Sequence, residues 1–158
     1  MTTERQEILF VCTGNICRSP VAQFLAERLA REAGLSWRFA SAGVEAEVGQ
    51  GMTPGAARAL ASRKVRGARH VARQLDDAML AQADQVYALA REHKAVIARR
   101  FPARSAKIEV LRAAAGLPGA DVEDPYGESD AVYDQCAGRI EEALQILVRR
   151  NSHVENSR

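Results

Sequence analysis

The chain has 158 residues, 47% of them hydrophobic, with 22 basic against 20 acidic side chains and a formal net charge of +2. That length fits one globular domain with a sizeable core, and the balance of charge excludes wholesale disorder and leaves no footprint for nucleic-acid binding. No apolar run approaches the roughly 20 residues of a membrane span, the start MTTERQEILF lacks the basic region and apolar core of a signal peptide, and three cysteines make neither a secreted disulfide framework nor a zinc site, so a cytoplasmic location and thiol chemistry are expected.

Residues 7–11 are apolar and partly β-branched, which predicts a strand buried on both faces of a parallel sheet. They lead into VCTGNICRSP at 11–20, followed by an apolar stripe of Val21, Phe24, Leu25 and Leu29 that predicts a helix over 21–33 stopped by Gly34. A second strand is expected over 37–42. After a glycine-rich loop, Pro54 opens a helix to Ser62 with Thr53 as its cap. A short helix is predicted over 76–81, a third strand over 84–89, a helix over 92–100 and a fourth strand over 107–111. Gly, Pro and acids punctuate 117–130, which reads as loop. Val132, Cys136, Ile140, Leu144 and Leu147 recur at helical spacing, so a last helix is expected over 131–150 with Cys136 in the core. The whole reads as one domain over 1–150 with a flexible tail at 151–158. Alternating strands and helices predict an α/β fold, a parallel sheet with helices on both faces and a ligand site outside the carboxyl ends of the strands. Charge is uneven: between Pro54 and Leu75 there are six basic residues and no acid, while 121–134 holds six acids and no base. Both runs read as solvated surface.

The segment 11–20 sits where a buried strand hands over to a helix, a natural anion site built from turn N–H groups and the positive end of a helix dipole. Gly14 and Asn15 tolerate left-handed backbone, and Pro20 suits a helix start. Such a cradle favours the thiolate of a cysteine held in it, which makes Cys12 a nucleophile toward phosphorus. Arg18 supplies a planar fork for two phosphoryl oxygens, and Ser19 a hydrogen bond to the sulfur. The leaving oxygen then needs a proton from another loop. Asp124, stiffened by Pro125 and set among Asp121, Glu123 and Glu128, is the candidate general acid.

VCTGNICRSP, the Asp-Pro-Tyr at 124–126, Ser41-Ala42-Gly43 and His70-Val71-Ala72-Arg73-Gln74 together resemble the low-molecular-weight protein tyrosine phosphatase family, over residues 7–150 and in family order. The resemblance implies a four-stranded parallel sheet with a phosphate-binding loop (Thr13, Gly14, Asn15, Ile16, Cys17) after strand 1, and hydrolysis of phosphotyrosine through a phosphocysteine with no metal or other cofactor. Cys12 would be nucleophile, Arg18 clamp and Asp124 acid. Asn15, Ser19, Ser41 and His70 match the network that holds the loop in shape, and Cys17 matches the second loop cysteine, which forms a reversible disulfide with the nucleophile. Ile16, Glu47 and Tyr126 match the substrate walls. Tyr126 would stack on a phosphorylated ring, and Ile16 suits an aromatic ring where relatives resembling arginine phosphatases carry Thr; Glu47 departs from the usual apolar or aromatic wall. The loop 44–51 resembles the bacterial branch that acts on autophosphorylating tyrosine kinases of capsule and exopolysaccharide export, so the expected partner is a phosphotyrosine protein of that kind, with phosphate-like oxyanions as inhibitors. Three rivals share the fold. An arsenate reductase would need further cysteines near strand 3, yet the region from Gly43 to Asp124 has none. A non-catalytic phosphate-binding module would lack the nucleophile or the acid, whereas Cys12, Arg18 and Asp124 are all present. An arginine phosphatase of the same fold is the third, and relatives resembling it carry Thr where this chain has Ile16.

Overall fold

The computed structural model describes residues 5–156. Four strands, β1 (Glu7–Cys12), β2 (Arg38–Gly43), β3 (Gln85–Ala88) and β4 (Ile108–Val110), form one sheet in the order β2-β1-β3-β4, and every pairing is parallel. The α/β class and four-stranded parallel sheet are as the sequence predicts. Among the described residues six helices accompany the strands: α1 (Arg18–Glu32), α2 (Pro54–Ala61), α3 (Asp77–Gln82), α4 (Arg91–Arg100), α5 (Leu111–Ala114) and α6 (Asp130–Asn156).

Strand β1 is central, and the pleat sorts its side chains between two cores. Ile8, Phe10 and Cys12 pack with α1, α2, α5 and α6, where Leu25, Leu60, Leu111 and Ile140 are fully buried. Leu9 and Val11 face the opposite side, against Leu80 of α3 and Ile97 of α4. The chain leaves β1 toward β2 on one side and then crosses to β3 on the other. The strand order therefore reverses between β1 and β3, and a crevice opens outside their carboxyl ends.

Boundaries differ from the sequence expectation where local chemistry is ambiguous. Helix α1 begins at Arg18, before Val21, because the missing N–H of Pro20 falls in the first turn, where helix amides have no intrahelical partner. Its end is as predicted: Gly34 takes φ +74, and Leu35 N–H bonds back to the Ala30 carbonyl. Thr53 caps α2 by accepting from Ala56 N–H, and Asp76 caps α3 by accepting from Met79 N–H. A 3-10 turn over Pro102–Lys107 and the single-turn helix α5 replace the ends of the expected fourth strand. Helix α6 continues past Arg150 through Asn156, and the last two residues of the expected tail lie outside the described residues.

The basic and acidic runs are not merely solvated. Arg58 of α2 makes a two-pronged pair with Asp130 at the start of α6 (both bonds 2.9 Å), Arg63 reaches Asp134 at 2.7 Å, and Arg91 makes a two-pronged pair with Asp121. Segments about 70 residues apart are thus stitched together by charge.

Candidate active site

The loop between β1 and α1 curls with its carbonyl oxygens turned outward. Those of Cys12, Thr13, Gly14 and Ile16 accept from Val44, Glu45, Glu47 and Thr53 N–H at 2.9–3.0 Å, and that of Asn15 from His70 Nε2 at 2.6 Å. Five carbonyls anchored to the surrounding segments leave the loop's amides to face the interior of the curl, which makes an anion cradle. Asn15 bends the chain at φ +59. Gly43 lets the neighbouring strand end approach, since a Cβ there would collide with the Thr13 carbonyl oxygen.

Cys12 ends β1 on the floor of a cleft of about 660 Å³. Its Sγ lies 2.9 Å from Ser19 Oγ and accepts from Ser19 N–H in the first turn of α1 at 3.4 Å. The buried Asn15 side chain sets the direction of these bonds. Its Oδ1 must be the atom that accepts from Arg73 N–H (3.0 Å), so its Nδ2 donates to Ser19 Oγ (2.7 Å) and Ser41 Oγ (3.0 Å). Ser41 passes its hydrogen to Gln23 Oε1 at 2.8 Å. Ser19 has its oxygen occupied and its own hydrogen free for the sulfur, the competing acceptor being the Ala42 carbonyl at 3.5 Å. His70 donates to a carbonyl from Nε2, and burial pushes it below the ordinary histidine range, so it is neutral at neutral pH.

Arg18 is buried at 4% exposure. One arm donates to the Val122 carbonyl at 2.9 Å, and the other lies 3.4 Å from Thr13 Oγ1 and 3.9 Å from Asp124 Oδ2. Asp124 lines the cleft from the opposite loop with a half-exposed carboxyl group, whose Oδ1 accepts from Tyr126 N–H at 3.1 Å. Of the acids expected to crowd it, Asp121 is neutralised by Arg91, whose side-chain and backbone bonds hold that carboxyl below its usual range. The charge brought to Asp124 is instead Arg18.

Ile16, Glu47 and Tyr126 line the same cleft, with Tyr126 largely exposed at its mouth. Cys17 is buried beneath it, 3.4 Å from Thr53 Oγ1 and 3.5 Å from Tyr133 Oη. Burial pushes the Cys17 thiol up. It also raises Tyr133 and Cys136, those two to about 12. All three cysteines are free. Of the residues expected from the sequence, Cys12, Thr13, Gly14, Ile16, Cys17, Arg18, Glu47, Asp124 and Tyr126 line this cleft, while Asn15, Ser19, Ser41 and His70 are joined in hydrogen bonds around its loop. One neighbour is not among the residues expected from the sequence: His93 of α4, whose Nε2 lies 2.9 Å from Thr13 Oγ1. A polar residue just past the carboxyl end of β3 was the available clue. Among the described residues no cluster of three His, Cys, Asp or Glu side chains is placed to hold a metal, and no helix is long and apolar enough to cross a membrane.

The family model described as low molecular weight phosphotyrosine protein phosphatase matches residues 7–157. A protein-arginine-phosphatase of Bacillus subtilis is 36% identical over 91% of this chain and 95% of its own length, and a low molecular weight protein-tyrosine-phosphatase of Streptomyces coelicolor is 34% identical over 86% and 87%. The crystal structure of a YwlE mutant from Bacillus subtilis superimposes with a TM-score of 0.87 at 36% identity, over 92% of this chain and 97% of that one. With nearly the whole chain matched in sequence and in fold, the protein is a member of the low molecular weight phosphotyrosine protein phosphatase family.

Proposed function

We propose that the protein hydrolyses phosphotyrosine in proteins through a phosphocysteine. The observation that carries this reading is a cysteine lining the cleft beside a loop whose carbonyls are tied to the surrounding segments, with a buried arginine and a carboxyl on the facing loop. The amides and Arg18 take the phosphoryl oxygens. Cys12 Sγ attacks phosphorus, the P–S bond forms as the P–O(aryl) bond breaks, and Asp124 gives its proton to the departing phenolate oxygen. Asp124, now a carboxylate, removes a proton from water as that water attacks phosphorus. The P–S bond breaks, inorganic phosphate leaves, and the thiolate is received by the Ser19 hydroxyl and N–H. Arg18 beside Asp124 couples binding to acid chemistry, because a phosphate dianion draws the guanidinium into its own ion pair. Cys17 serves as a resolving thiol for oxidised Cys12.

Substrate choice rests on Ile16, which lines the cleft with an alkyl side chain suited to a phenyl ring, and on Tyr126 at its mouth. One observation favours phosphoarginine as a second reading. Glu47 lines the cleft with its side chain beside Gly14 and could meet a guanidinium, and one relative is a protein-arginine-phosphatase. The partner we favour is an autophosphorylating tyrosine kinase of exopolysaccharide export, encountered in the cytoplasm, where free thiols such as these stay reduced. A panel of phosphotyrosine, phosphoserine and phosphoarginine peptides tests the reading. Phosphotyrosine should be turned over at least about tenfold more efficiently than either rival, and Cys12→Ser should abolish turnover while still binding phosphate. Preference for phosphoarginine would transfer the assignment to the second reading, and turnover by Cys12→Ser would remove the phosphocysteine.

A further inference from the structure

His93 lies in the first turn of α4 with its ring 1% exposed. Its Nε2 is 2.9 Å from Thr13 Oγ1, and its Nδ1 has no hydrogen-bond partner among the described residues. A buried N–H without an acceptor is more costly than a bare lone pair. The favoured tautomer therefore carries its hydrogen on Nε2, and His93 donates to the Thr13 hydroxyl oxygen. Arg18 donates to that same oxygen from its Nη2 at 3.4 Å. Thr13 Oγ1 thus accepts twice, and three side chains from α4, the loop and α1 are tied through one atom. The geometry matters because the same Nη2 is 3.9 Å from Asp124 Oδ2. Without a second anchor, the guanidinium would settle on the carboxylate and occupy both the clamp and the acid in one ion pair.

We propose that His93 is a positioning residue of this site, holding Arg18 at the phosphate cradle and off Asp124 through the Thr13 hydroxyl. The inference rests on the phosphatase reading for its kinetic consequence, though the phosphate-binding consequence stands without turnover. The groups facing the ring are Arg18, Thr13, Asp121, Asp124 and the Glu92 carboxylate, 3.6 Å from Nε2. Burial and the Arg18 charge hold its pKa at about 4, so near neutral pH it is an uncharged donor beside a guanidinium and adds no competing cation.

The test compares His93→Leu, His93→Gln and Thr13→Val. Phosphate affinity is measured by calorimetry, with Cys12→Ser added to each to remove turnover, and kcat and KM for an aryl phosphate are measured with Cys12 intact. His93→Leu and Thr13→Val should each weaken phosphate binding and raise KM by about tenfold, the double variant should be no worse than either single one, and the Gln side-chain amide should restore most of the loss. A His93→Leu protein that melts earlier yet binds phosphate and substrate like the parent would overturn the proposal, because the ring would then only fill space. So would equal behaviour of Leu and Gln, or additive losses in the double variant. If the wild type fails to hydrolyse aryl phosphates, the phosphatase reading falls, while the phosphate titrations still decide the role of His93.

Discussion

Asn15 carries more of the site than its size suggests. Its backbone supplies the left-handed bend, its carbonyl takes His70, and its amide fixes the direction of hydrogen bonding through Ser19 to the sulfur. Cys17, two residues on, is held differently: desolvation keeps it a thiol, and Thr53 and Tyr133 occupy its surroundings. In the proposed resolving role it would act after peroxide has oxidised the Cys12 sulfur to a sulfenic acid. Its thiol then condenses with the sulfenic acid, water leaves and a disulfide remains. Wild-type enzyme inactivated by peroxide should regain nearly full activity with dithiothreitol, whereas Cys17→Ser should lose activity permanently as Cys12 oxidises further. Equal recovery of the two proteins would eliminate the resolving role.

The acid loop is an element without regular structure, yet it is firmly tied. Val122 N–H joins the Leu89 carbonyl, Arg91 grips Asp121, and the buried Arg112 and its neighbour Arg139 hold the carbonyls of Pro118, Gly119 and Asp121. Asp124→Asn should slow hydrolysis of esters with poor leaving groups by about a hundredfold or more, and affect nitrophenyl esters far less. Arg91→Ala, which leaves the acid in place and loosens its loop, should reproduce that leaving-group dependence at smaller size. A flat response across a leaving-group series would count against both assignments. How such elements appear in sequence differs sharply. Strands and helix stripes were legible because periodicity is local, and Cys12, Arg18 and Asp124 because their motifs carry their own chemistry. The pairing of Arg58 with Asp130 and of Arg63 with Asp134 was not, since nothing local says that two runs of opposite charge meet. His93 was missed for the same reason: a single histidine acquires meaning only when β1 and β3 are placed side by side.

For the molecule as a whole, the buried His93 and the half-buried His70 link folding to pH. Both His70 and His93 have folded pKa values below the ordinary 6.5 or so of an unfolded chain, so the unfolded state takes up protons first as the solution is acidified. Their contribution is complete above that value and is lost as pH falls toward the folded values, about 4 for His93. His93 alone should cost about 2 kcal/mol between pH 7.5 and pH 5. The depressed carboxyls of Asp77 and Asp121 act only lower down, and the raised Glu27 opposes the trend near its own titration. Urea unfolding at the two pH values should therefore show a stability loss that His93→Leu reduces, and identical losses in the two proteins would refute the linkage.

The outward carbonyls of the loop are held largely by main-chain N–H groups of the 44–53 segment, and any residue except proline supplies an N–H. The side chains of that segment that line the cleft, Glu45, Glu47 and Gln50 among them, can therefore change without loosening that ring. On the proposed reading, the positions that choose the substrate can vary apart from the ring that holds the phosphate. A laboratory search for new phosphoester preferences can randomise those wall positions, avoiding proline, and expect most variants to retain the underlying turnover machinery.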